Sequence, residues 1–156
     1  TRKGVSALMV AGSRGHVDVM EVLLECKADI DTESADGSTA LMAAAFQKEK
    51  DTIKFLLKAR ANVNAKKKNG CTALSIASEG GILELVKILV ESKADVNART
   101  LDGSTALMYA AYYENFEVVR FLIANSNADC LIENNDGKTA CNLAEEKSNE
   151  RLVDYL

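Results

Sequence analysis

The chain contains no proline and no tryptophan, a single histidine (His16) and only eight Phe and Tyr residues in all. Without proline, no helix start is preorganised by a fixed φ, so capping side chains must mark the helix boundaries. A lone histidine leaves acid–base or nucleophilic catalysis without the partner it needs, and no such partner is spaced around His16. No apolar run approaches the length that spans a bilayer. Arg2 and Lys3 are not followed by the apolar core of a secretion signal, and no Asn-x-Ser/Thr sequon occurs. The net charge of −4 supplies no general attraction to nucleic acid or anionic lipid, and no basic stripe carries interleaved aromatics. The four cysteines (Cys26, Cys71, Cys130 and Cys141) form no CxxC pair and no metal-type spacing, so they are expected to act as small apolar side chains in a reducing compartment. Phosphate-cradling glycine loops are missing too. A faint calcium-loop likeness around Asn134–Gly137 fails because Ile132 and Leu143 stand where the first and last ligands belong.

What the chain does have is a repeat. Gly4, Gly37, Gly70, Gly103 and Gly137 open matched segments separated by steps of 33, 33, 33 and 34 residues. A fixed period of this size means a stack of small units, none of which buries its apolar face alone. The units run approximately 1–33, 34–66, 67–99, 100–133 and 134–156.

The third copy shows the logic of one unit. Asn69-Gly70 signals a turn, because glycine accepts positive φ without steric cost. Thr72 suits an N-cap, and Leu74, Ile76 and Ala77 then line one face of a short helix that ends at Gly80-Gly81. Glu84 sits at the positive end of a second helix, whose stripe is Leu85, Val86, Ile88, Leu89 and Val90. The cap recurs as Ser6, Thr39, Thr105 and Thr139. Ala11, Ala44, Ala77, Ala110 and Ala144 share one site in the first helix, where a small side chain lets neighbouring helices approach closely. The spacing slips once: the stretch Ala124–Asn127 carries one extra residue, which predicts a bulged helix end.

A turn, a short helix, a return helix and an outward loop every 33 residues resemble the ankyrin repeat. The family's D-G-x-T-P-L-H-x-A-A looks like Asp36–Ala45 and again like Asp102–Ala111; its G-H-x-E-V-V looks like Gly15–Met20, and its A-D-V-N-A like Ala94–Ala98. The resemblance covers essentially the whole chain. It implies an all-α solenoid of helix-turn-helix units, about five repeats, with hairpin-like turn loops. Two departures bear on the structure. The family's His is replaced by Met9, Met42, Ser75, Met108 and Asn142. The family's glycine after the second helix is Lys27, Arg60, Lys93 and Asn127, which are expected in the left-handed region. The last copy is polar from Glu145 to Glu150, as a terminal capping unit requires, whereas Val5, Met9 and Val10 in the first have no upstream neighbour. More repeats are therefore expected ahead of Thr1, with this chain a fragment of a longer one.

The resemblance further implies a non-enzymatic protein-interaction module without cofactor or metal, monomeric, intracellular and most simply cytoplasmic, binding neither nucleic acid nor membrane. Partners in such arrays sit on a concave strip of turn tips and first helices. Matched copy by copy, the strip begins at Arg2, Lys3, Val5, Ser13 and Arg14 and runs through Phe46, Gln47, Lys66, Lys68 and Glu79. It continues through Arg99, Leu101, Asp102, Ser104, Tyr112 and Tyr113 and ends near Asp136 and Lys138. Phe46, Tyr112 and Tyr113 are the expected anchors, since aromatics dominate interface energetics. Tyr109 is expected to pack inward. Lys66-Lys67-Lys68 reads either as a solvated loop tip or as a knuckle for an acidic peptide. A second functional expectation is a recruiting or regulatory segment of a larger enzyme or channel. A third is hydroxylation at Asn64 and Asn97, which match the asparagine modified in some ankyrin repeats.

Overall fold

The computed structural model describes residues 4–156 and contains ten helices, with no strand among the described residues. They alternate as first and second helices of five hairpins. The first helices are α1 (Ala7–Gly12), α3 (Ala40–Gln47), α5 (Ala73–Glu79), α7 (Ala106–Tyr112) and α9 (Ala140–Glu146). The second helices are α2 (Val17–Glu25), α4 (Lys50–Lys58), α6 (Leu83–Glu91), α8 (Phe116–Ser126) and α10 (Glu150–Val153). Each first helix packs on the next first helix, from α1 on α3 to α7 on α9, and the second helices stack behind them.

Each first helix starts where its cap residue stands. Ser6, Thr39, Thr72, Thr105 and Thr139 have extended backbones, and their hydroxyls accept from the amide three residues on. Where Ser75 and Asn142 stand in place of the family's His, their side chains reach back to the cap amide and close a reciprocal pair. Met42 and Met108 at that position are instead buried as apolar side chains. Met9 is buried as well, although no unit described precedes it, while Val5 and Val10 are exposed.

The matched alanines serve twice. Their side chains are at most 4% exposed. Their carbonyls also accept the amide that opens the second helix: His16 to Ala11 (3.0 Å), Glu49 to Ala44 (2.9 Å), Ile82 to Ala77 (3.1 Å), Asn115 to Ala110 (2.8 Å) and Asn149 to Ala144 (3.2 Å). The chain makes this turn through one left-handed residue per unit: Gly15, Lys48, Gly81, Glu114 and Ser148. Sequence reading named only the glycines there. It did anticipate the second left-handed set, and Lys27, Arg60, Lys93 and Asn127 have φ of +63°, +68°, +70° and +56°.

The extra residue of the fourth unit lengthens a helix. α8 has 11 residues where α2, α4 and α6 have nine. Its closing bond runs from the Ala128 amide to the Leu122 carbonyl (3.4 Å), one residue wider than the equivalent bond from Ala94 to Leu89 (3.0 Å). The expected bulge is this widened turn. Of the cysteines, all four are free thiols; Cys26 is exposed and so does not act as a packed apolar side chain.

Two outcomes test this account. Replacing Lys27, Arg60 or Lys93 by Gly relieves left-handed strain of about 1 kcal/mol each and raises the melting temperature in thermal unfolding; a fall would contradict the strain assignment. Ala77→Leu overpacks the seam and destabilises by about 1–3 kcal/mol in urea titration, whereas an unchanged midpoint would show that the seam has room.

Candidate functional site

The turn tips are built from backbone first. Each tip closes on itself through two backbone bonds, a glycine amide (Gly37, Gly70, Gly103 or Gly137) donating to the carbonyl three residues back and an outer amide to the carbonyl four residues on: Ser34 to Ser38 (2.9 Å), Lys67 to Cys71 (2.9 Å), Thr100 to Ser104 (3.0 Å) and Asn134 to Lys138 (2.9 Å). Each is stitched to its neighbour by another. The amides of Lys68, Leu101 and Asn135 donate to the carbonyls of Asp36, Asn69 and Asp102 at 2.9, 2.8 and 2.9 Å. Gly70 is required on two counts. Its φ is +84°, and a Cβ there would lie 2.7 Å from the Thr100 backbone of the next tip.

Side chains then lock the tips. The Asp36 carboxylate accepts from Ser34 and Ser38 and faces the Lys67 ammonium at 2.9 Å. Ser34 most, then Lys67 and Ser38, hold the carboxyl far below its ordinary range. Asp102 repeats the device with Thr100 and Ser104, and its pKa is likewise lowered, chiefly by Thr100. Ser104 is buried, which removes it from the expected surface strip. Arg99 donates to the Glu133 carbonyl (2.7 Å) and the Gly103 carbonyl (3.2 Å), bridging two tips.

The outward side chains differ from copy to copy. At the end of the first helices, one matched position carries Ser13, Phe46, Glu79, Tyr112 and Glu146, and the next carries Arg14, Gln47, Gly80, Tyr113 and Lys147. Arg14, Phe46, Gln47, Lys66, Lys68, Glu79, Arg99, Leu101, Asp102, Tyr112 and Tyr113 are all exposed. Phe46 is 71% exposed and Leu101 is 73% exposed, far above what packing in a seam would allow. Tyr112 and Tyr113 meet edge-to-face at 5.2 Å. The Lys147 ammonium lies 3.9 Å over the Tyr112 ring, a contact that sequence reading missed because it joins two units. The Glu79 carboxylate beside Tyr113 raises that hydroxyl's pKa. Tyr109 is half-buried as expected, and burial, reinforced by Cys71, pushes its hydroxyl up to about 12.

Shallow grooves lie between successive first helices. One, of about 400 Å³, is lined by Met42, Ala43, Phe46, Cys71, Ile76 and Glu79. Another, of about 210 Å³, is lined by Asp102, Met108, Tyr109, Tyr112, Tyr113 and Leu143. The basic knuckle is partly neutralised, since Lys67 pairs with Asp36 while the Lys66 and Lys68 side chains have no partner among the described residues. Arg2 and Lys3 lie outside the described residues. Asn64 and Asn97 are both engaged: their side chains accept from the Asp95 and Asp129 amides at 2.8 and 2.9 Å. Among the described residues no cluster of His, Cys, Asp or Glu could hold a metal ion, and no helix is long and apolar enough to cross a membrane.

A family model for ankyrin repeats (three copies) matches residues 8–100. The chain belongs to the ankyrin repeat family. A second ankyrin repeat model (many copies) matches residues 89–144, so the two together run from residue 8 to residue 144, through the first four units and into the first helix of the fifth. No individual curated protein matches the chain. Ankyrin repeats serve generally as protein-interaction modules, and this array has the all-helical architecture of the family.

The Asp36 network carries a pH signature. A carboxyl whose folded pKa is depressed adds stability that is complete above its unfolded value and is lost as pH falls through the folded one. Asp36 is solvent-facing, so the effect is modest. The stability gap between wild type and Asp36→Asn is expected to narrow as pH falls below about 4. Thermal melts between neutral and acidic pH check this; a gap that stays constant would remove the network's electrostatic role.

Proposed function

We propose that this ankyrin array binds a partner protein, as a folded surface or an extended peptide, on its row of turn tips and first-helix ends. The contact residues are Arg14, Phe46, Gln47, Lys66, Lys68, Glu79, Arg99, Leu101, Asp102, Tyr112 and Tyr113. The supporting observation is the exposure of Phe46, Tyr112 and Tyr113 on one side of a chain with only eight Phe and Tyr residues. None of the three completes a seam, yet each leaves a large apolar ring in water, a cost that a partner's surface removes. The two grooves place these rings beside carboxylates and half-buried apolar side chains, a mixture suited to an interface core with a polar rim. Arg99 and Asp102 are already held by their own tips, so they contribute fixed shape and charge. Phe46, Leu101, Lys66 and Lys68 are free to adapt.

Affinity capture with wild type beside the triple variant Phe46→Ala/Tyr112→Ala/Tyr113→Ala tests the reading. Truncating interface anchors of this type costs about 2 kcal/mol or more each, so the variant is expected to lose the retained partners while its circular dichroism stays helical. The same proteins held by both chains would rule out this face.

A further inference from the structure

The ends of the first helices meet one another in a regular way. A side chain at the second matched position of one unit reaches the first matched position of the unit before it. Lys147 of the fifth unit lies over the Tyr112 ring of the fourth. Tyr113 of the fourth unit stands beside Glu79 of the third. In the third unit the same position is Gly80, which has no side chain, and the residue it faces in the second unit is Phe46. The difference shows in exposure. Tyr112 is 39% exposed beneath Lys147, whereas Phe46 is 71% exposed and has no cation over its ring among the described residues.

The space that Gly80 leaves is a notch of about 320 Å³ whose lining includes Phe46, Ile76, Glu79 and Tyr113. The Glu79 carboxylate joins no ion pair among the described residues. Tyr113 is braced by the edge-to-face contact with Tyr112, and Tyr112 in turn by Lys147, so this wall is set before any partner arrives. Aromatic faces and an unpaired carboxylate both attract a cation, and neither suits an anion. Lys48 also lines the notch, exposed and in no ion pair among the described residues. Its charge opposes an incoming cation, which makes its removal a second probe of what the notch takes.

We infer that the notch of Phe46, Glu79 and Tyr113 receives a basic side chain, arginine or lysine, of the partner protein. The inference rests on the reading that this face binds a protein. The charged head takes the place over Phe46 that Lys147 takes over Tyr112, with Glu79 as its counter-ion. The alkyl stem covers Ile76 and part of the Phe46 ring, as long basic side chains do on apolar surface.

Random linear peptides displayed on phage and selected on the wild-type array are the probe. Those that lose binding to the Phe46→Ala/Tyr112→Ala/Tyr113→Ala variant are expected to share a basic residue at one fixed place. Glutamine at that place in the peptide weakens binding about tenfold, and so does Glu79→Gln in the array, whereas the two changes together cost little more than either alone. Lys48→Met tightens binding. Gly80→Lys blocks the same peptides, because its side chain mirrors Lys147. Gly80 has a helical φ of −72°, and a Cβ there has the flexible end of Ile82 as its nearest neighbour at 3.2 Å, so the change is admitted; circular dichroism checks it. Peptides that need this face but share no basic residue would overturn the inference and leave the binding face standing. So would a shared basic residue indifferent to Glu79→Gln. If no selected peptide depends on Phe46, Tyr112 and Tyr113, the binding face fails and the inference with it.

Discussion

The contact between successive first helices is the one on which the rest of the structure depends. Ala44, Ala77 and Ala110 lie in it with no measurable exposure, and their carbonyls receive the amides that begin the second helices. Close approach of α3, α5 and α7 is therefore tied to the reversal of each hairpin. Leu41, Leu74 and Leu107 are buried to within 2% because the neighbouring unit is there. No hairpin has an interior of its own, and burial is a property of pairs.

This arrangement separates two sets of side chains. Those in the seam have no freedom, and every copy carries alanine at the matched site. Those at the ends of the first helices are not buried in the seam, and they range from Ser13 through Phe46 and Glu79 to Tyr112. The stitched backbone of the tips holds these varied groups in fixed relation without using their side chains. Asp36 and Asp102, each ionised and gripped by two hydroxyls, brace the tips from within. The surface is thus rigid in backbone and variable in chemistry, which is what recognition of a protein partner requires.

Much of this was legible in the sequence, because the signals are local and recur. Ser6 and the four threonines mark helix starts by their own hydrogen bonds, and the left-handed backbone at Lys27, Arg60 and Lys93 follows from where glycine would stand. The extra residue near Asn125 was countable, although its form, a longer α8 with a wider closing turn, was not. The left-handed Lys48, Glu114 and Ser148 escaped notice because nothing about a lysine or glutamate announces positive φ. Ser104 was misplaced because its burial depends on the packing around its tip, and nothing in a serine announces it. For the candidate surface, residue choice was legible from the repeat register, while the pairing of Tyr112 with Lys147 depends on how one unit meets the next.

What the amino-acid sequence determined by itself is the unit: its period, its caps, its two amphipathic helices and the small residue between them. Each of those follows from interactions spanning a few residues, which a sequence displays in order. What only the tertiary structure decided is everything that passes between units. That includes which apolar groups are covered, which lysine meets the Asp36 carboxylate, and why Val19 lies open where Leu85 does not. Those outcomes depend on whether a neighbour is present in the right register, and burial in a stacked array is decided by that neighbour.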